Sequence, residues 1–147
     1  MFKSILVGVD GSPTASEALR RAARLAESTG AELHIVCAYH GATLVNVDPI
    51  GAAAIGAVDV GDALRKAAEE LLDGSSKRLG ADGVRVHTHA VEGEPSDVLI
   101  DLADGLDCDL IVVGNRGMRG GKRLLLGSVP NRVAHHANRD VLIVHTA

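Results

Sequence analysis

Between Asp109 and Ser128 the chain reads DLIVVGNRGMRGGKRLLLGS, an apolar run that meets a glycine-spaced loop and then the first residues of a helical pattern. Gly114 and Gly117 are separated by two residues, and nine more lead to Gly127 and Ser128. Glycines let a backbone approach a ligand and turn its amides toward it, and a helix start offers unpaired N–H groups at a positive dipole end. Ser128 adds a hydroxyl, and Arg116, Arg119, Lys122 and Arg123 add positive charge. The chemistry such a stretch suits is phosphate binding. The plainer alternative is a glycine-rich connection with a solvated basic face and Ser128 as an ordinary N-cap, and spacing alone leaves both open.

Two commoner phosphate fingerprints are excluded. A P-loop needs a glycine five residues before Gly121-Lys122, where Arg116 stands, and Ser or Thr after the lysine, where Arg123 stands. No two glycines are separated by a single residue, so a GxGxxG turn cannot be built. Among other chemistry-bearing residues, His87 and His89 share one face of an alternating stretch with Arg85. With no third ligand at a recognisable spacing, a solvated strand face is favoured over a metal site. Cys37 and Cys108 lie in strand patterns without CxxC spacing and read as free buried thiols.

The elements that must position these residues follow from periodicity. Leu110 to Val113 is an unbroken aliphatic run, as in a strand buried on both faces, and Ser4 to Val9 is the first strand. Ser12 as N-cap and Pro13 at N1 open a helix whose inward face is Ala15, Ala18, Leu19, Ala22, Leu25 and Ala26, and Gly30 stops it. Leu33 to Tyr39 and Val84 to Val91 are strands, the latter at an edge. Helices span Asp62 to Leu79 and Pro95 to Gly105, another follows Gly127-Ser128, and Val141 to Thr146 is the last strand. From His40 to Gly61 the period is lost. That stretch is either a lid over a site or a disordered or partner-contacting insertion.

Strands alternating with helices predict an α/β fold: a single doubly wound, Rossmann-like or flavodoxin-like five-stranded parallel sheet with helices on both faces, one domain over residues 1–147. In such a sheet ligands sit beyond the carboxyl ends of strands where the strand order reverses. The first and fourth strands are neighbours there, which sets Asp10 opposite Gly114. Asp10 then suits a ribose or base and the glycine loop a phosphate, while an Asx-turn into Ser12 is the plainer role for that carboxylate. The apolar last strand lies at a sheet edge, and a homodimer through Val141 to Thr146 covers it.

A net charge of -4, one Tyr, one Phe and no Trp argue against nucleic acid as a partner. The N-terminal apolar run Ile5 to Val9 is too short for a signal peptide or membrane span, so the expected location is cytoplasmic.

Val7-Gly8-Val9-Asp10-Gly11-Ser12, together with Val113-Gly114-x-x-Gly117, nine residues and Gly127-Ser128-Val129, resembles the universal stress protein family, in its nucleotide-binding branch. The likeness spans the chain and its order of elements. It implies an adenine nucleotide site in which Asp10 and the backbone at Ala38 hold the nucleoside. Gly114 would lie near the ribose, and Gly117, Gly127, Ser128 and Val129 at the phosphates. It implies ATP, with Mg²⁺ as a companion ion, and leaves cyclic AMP or AMP open; four basic residues favour a polyphosphate by charge count. It also implies a homodimer through the last strand and a stress-response or signalling role. Pro130 and the Asn138-Arg139-Asp140 turn depart from the family pattern without disturbing the site.

Between Asp109 and Asp140 there is no Asp or Glu to hold Mg²⁺ or activate water, so binding with at most slow hydrolysis is expected. An interaction protein acting through PIGAAAIGAV and the dimer surface, with nucleotide structural and its protein partner unknown, is the alternative from another class.

Overall fold

The computed structural model describes residues 1–40, 57–79, 83–116 and 126–146. Their strands are β1 (Ser4–Gly8), β2 (Glu32–Tyr39), β3 (Val86–Glu92), β4 (Leu110–Gly114) and β5 (Asp140–Val144), and their helices α1 (Pro13–Thr29), α2 (Ala57–Leu79), α3 (Pro95–Gly105) and α4 (Ser128–His136). The strands form one five-stranded sheet in the order β3-β2-β1-β4-β5. Every pairing between neighbours is parallel. This is the expected doubly wound α/β architecture.

Alternation along the strands builds two cores. Ile5 and Val7 of β1, with Leu33 and Ile35 of β2, pack against Ala18, Ala22 and Ala26 of α1 and Leu72 of α2. Leu6, Val36 and Ile111 point the other way, onto Val98 and Leu99 of α3 and Val133 of α4. Because β1 and β4 are covered on both faces, Ile5, Leu6, Val7, Ile111 and Val112 all have 0% exposure. Burying each such side chain is worth about 1.5–3 kcal/mol, which explains why these two strands read as continuous apolar runs rather than alternating ones.

The caps of α1 are those expected: Ser12 Oγ accepts the Ala15 N–H at 3.1 Å, Pro13 follows, and Gly30 ends the helix at φ 74° with its N–H on the Ala26 carbonyl. Strand ends differ from expectation by one or two residues and the start of α2 by five, and two of these shifts have a visible cause. α2 begins at Ala57, so Gly61, read as part of a long loop, is an exposed residue inside a helix. An internal glycine weakens a helix by about 1 kcal/mol, and α2 tolerates it because Ala68 and Leu72 anchor the helix on the sheet. β5 ends at Val144, because the Thr146 amide turns to the Asn115 side chain, its N–H 3.3 Å from Oδ1.

Candidate functional site

The chain first winds β1 to β2 to β3 on one side, then crosses to β4 and β5 on the other, so the order reverses between β1 and β4. A cleft opens at their carboxyl ends, where such sheets hold ligands. Its apolar walls include Val9, Val36, Pro95, Leu99 and Val113; Asp10 and Ala38 border it on one side, and Gly114, Arg116, Val129 and Pro130 on the other. Five expected site residues therefore share one cavity: Asp10, Ala38, Gly114, Arg116 and Val129. Gly127 and Ser128 immediately precede Val129 on the same turn. Gly117, Arg119, Lys122 and Arg123 lie outside the described residues, as does most of the stretch from His40 to Gly61.

Asp10 is exposed at the end of β1, and its Oδ1 accepts the Ser12 N–H at 2.9 Å. The Asx-turn thus exists, and it fixes the carboxylate in place while Oδ2 retains acceptor capacity. Among the described residues lining the cleft, Asp10 is the one carboxylate. Cys37 neighbours it on β2. Burial, and after it the Asp10 charge, push the Cys37 thiol above its ordinary range, so it stays protonated.

Gly114 is required by space, and Gly127 is tightly packed. A Cβ built on Gly114 overlaps the Thr14 methyl and lies 3.2 Å from the Thr14 carbonyl carbon. β4 therefore ends in direct contact with the first turn of α1. Gly127 has ordinary backbone angles, φ -61° and ψ 163°. A Cβ there would stand 3.2 Å from Arg116 Cα and 3.3 Å from the Asn115 carbonyl oxygen. The helix start is pressed against the chain leaving β4, and the Gly127 N–H donates to the Asn115 carbonyl at 2.9 Å.

That hydrogen bond assigns the roles at the start of α4. Gly127, not Ser128, is the N-cap, and Ser128 is the first helical residue with its side chain exposed. The reading of Ser128 as an N-cap is corrected: the Gly127 carbonyl takes the first intrahelical N–H, from Asn131, at 3.1 Å. The Gly127 amide is committed, and Pro130 has none. The amides of Ser128 and Val129 remain, at helix positions that lack an intrahelical acceptor. They sit at the positive end of the helix beside the cleft.

Asn115 escaped the sequence reading. It is 7% exposed; its N–H donates to the Val144 carbonyl at 2.9 Å, its carbonyl holds Gly127, and its side-chain oxygen accepts from Thr146 N. Thr146 Oγ1 in turn lies 2.8 Å from Thr14 Oγ1. Asn115 thus ties together the ends of β4 and β5 and the starts of α1 and α4. Its signal was a single amide residue between the strand-ending glycine and the first arginine of the loop.

An open parallel sheet with a helix N-terminus and a carboxylate facing across its switch point defines an α/β protein of the Rossmann-like kind. Comparison narrows this further. The model of the universal stress protein family matches residues 1–145. A universal stress protein of Mycobacterium tuberculosis is 37% identical over 151 aligned positions, covering 99% of this chain and 97% of its own. A universal stress protein solved in complex with cAMP superposes with a TM-score of 0.70 at 35% identity, covering 99% of each chain. One from Archaeoglobus fulgidus, in complex with dAMP, gives a TM-score of 0.66 at 26% identity over 96% of each chain. The chain belongs to the universal stress protein family. No helix among the described residues is long and apolar enough to cross a membrane.

Proposed function

We propose that this protein is a single-domain adenine-nucleotide-binding module, with ATP as its ligand, serving stress response or signalling with little or no catalysis. The observation that carries the reading is the pair of Ser128 and Val129 amides at the start of α4, across the cleft from Asp10. Two amides at a positive helix end suit phosphate oxygens. Oδ2 of Asp10 suits a ribose hydroxyl or base N–H, and Val36, Pro95 and Leu99 give the base an apolar slot beside the backbone of Ala38. Gly117 and the cations Arg119, Lys122 and Arg123 belong to the same phosphate loop by sequence, with Arg116 at its root.

The donor set fits a nucleotide. It supplies no carboxylate at the phosphate end among the described residues, so Mg²⁺ enters with the nucleotide, its ligands drawn from phosphate and water. The same shortage leaves no carboxylate base at the phosphate end among the described residues, and turnover slower than about 1 per second is expected. The relative bound to cAMP, at 35% identity, favours a second reading in which the cleft takes cyclic AMP or AMP. β5, an edge strand with Leu142 39% exposed, supports a homodimer through that edge.

Calorimetric titration of nucleotide-stripped protein with ATP, cyclic AMP and AMP tests the proposal, with Gly127→Val as control. Binding of ATP that Gly127→Val weakens at least tenfold is expected. A preference for cyclic AMP moves the weight to the second reading, and no binding of any adenine nucleotide overturns both.

A further inference from the structure

A different cluster lies on the α3 and α4 side of the sheet, nearer the amino end of β2. The parallel register pairs His34 with His87, and Val36 with His89. Residues in register point the same way, so three imidazoles and the Glu32 carboxylate, two residues before His34, gather on one face. The His34 ring stacks on His87 with centroids 4.8 Å apart and on His89 at 5.1 Å. Glu32 bridges two of them: its Oε1 lies 3.6 Å from His34 Nε2 and its Oε2 lies 3.3 Å from His87 Nε2.

The geometry points to a divalent transition-metal site, of the zinc type, formed by Glu32, His34 and His87, with His89 orienting His34. One donor atom from each of the three ligands lies within 4.8 Å of the others. Around a tetrahedral Zn²⁺ with bonds of about 2.0–2.1 Å, ligand atoms are about 3.3 Å apart; Glu32 Oε2 and His87 Nε2 stand at that spacing, and the stacked rings of His34 and His87, 18° from parallel, must turn toward the ion to bring all three donors to it. Two imidazoles and a carboxylate with an open fourth position is a familiar zinc ligand set. Mg²⁺ and Ca²⁺ prefer oxygen throughout, which two imidazoles do not provide.

The remaining contacts prepare the ligands. His34 Nδ1 is 2.9 Å from His89 Nε2. With the proton on His34 Nδ1, donated to His89, the lone pair of His34 Nε2 faces Glu32 and His87, as in metal sites where the second ring nitrogen is held by a neighbour. Neutral imidazole is the form that binds metal. The side chain of His87 is 47% exposed and that of Glu32 33%, which leaves an approach for the ion and room for a water. His34 lies two residues before Val36, a wall of the nucleotide cleft, or about 6.6 Å along β2 at a strand rise of 3.3 Å per residue, and none of Glu32, His34, His87 and His89 lines that cleft, so the two sites adjoin without sharing a residue.

The test is calorimetric titration of tag-free, chelator-treated protein with ZnCl2, paired with the visible absorption of its Co²⁺ adduct. Variants His87→Ala and Glu32→Gln change exposed or half-exposed groups, and His135→Ala/His136→Ala serves as a control on the exposed pair in α4. One equivalent of Zn²⁺ is expected to bind, with a Co²⁺ visible band. His87→Ala and Glu32→Gln should each weaken Zn²⁺ at least tenfold and abolish the band, while the α4 control leaves both unchanged. His89→Ala should weaken it about 10- to 100-fold with the band retained but shifted. Absence of Zn²⁺ binding in the natural chain, equal binding in His87→Ala and Glu32→Gln, or loss in the α4 control instead would overturn the site.

Discussion

Gly114 separates a role in the fold from a role in ligand binding. Its missing side chain is where β4 meets α1: an added Cβ overlaps the Thr14 methyl and stands 3.2 Å from the Thr14 carbonyl carbon and oxygen. Gly114→Ala therefore overpacks a contact made by buried Thr14, which is 5% exposed. Such insertions destabilise by about 1–3 kcal/mol, or roughly 2–4 °C of Tm per kcal/mol for a chain of this size. Thr14→Ser removes only the offending methyl, at a loss of about 0.8 kcal/mol, and keeps the hydroxyl that contacts Thr146 at 2.8 Å. In the double variant the new methyl occupies the vacated space. Its destabilisation should fall short of the sum of the single effects by about 1–2 kcal/mol, a coupling typical of residues in contact. Recovery stays incomplete because the Thr14 backbone still crowds the new Cβ. The chain has no Trp, so urea unfolding followed by far-UV circular dichroism is the assay. Additive single effects, or a Gly114→Ala variant as stable as the natural chain, would refute the steric argument.

Other expectations follow from particular contacts. Asn115→Ala removes the acceptor of the Thr146 amide; about 1–3 kcal/mol of stability should be lost, with weaker nucleotide binding as the start of α4 loosens, measured by denaturation and calorimetry. Asp109 accepts hydrogen bonds from the amides of Lys3 and Ser4. The Lys3 bond leads in holding its carboxyl below the ordinary 3.8. A depressed folded pKa contributes stability that is present above pH 3.8 and lost as pH falls through the lower folded value. The difference between the natural chain and Asp109→Asn, about 1 kcal/mol at neutral pH for a half-exposed group, should therefore shrink below that pH in acid unfolding curves. Leu142→Glu, at an exposed position of the edge strand, should convert a dimer to a monomer in sedimentation experiments with little change in monomer stability; an unchanged dimer places the interface elsewhere.

Much of this was legible in the sequence because the signals were local. The Ser12-Pro13 start and Gly30 stop of α1 lie within a few residues of the backbone groups they satisfy. Leu110 to Val113 declared a doubly covered strand through unbroken burial. The start of α2 was obscured because Gly56 and Gly61 resemble punctuation, whereas packing through Ala68 and Leu72 carries the helix across Gly61. At the cleft, residue types indicated Asp10, Gly114 and the helix start, but not the Asn115 contacts that join ends far apart in sequence. The histidine cluster shows the same limit. His87 and His89 were visible as a pair, while Glu32 and His34 join them only through the β2–β3 register, 55 residues away.

The most direct test of the nucleotide reading is to locate the ligand by titrating ¹⁵N-labelled, nucleotide-stripped protein with ATP and following its assigned amide resonances. The largest shifts are predicted at Ser128 and Val129, with further shifts at Asp10, Ala38 and Gly114 and little change at Val86 or Thr88 on the edge strand. Shifts centred elsewhere, or none at millimolar ATP, cyclic AMP and AMP, would contradict the assignment of the cleft between β1 and β4 as an adenine nucleotide site.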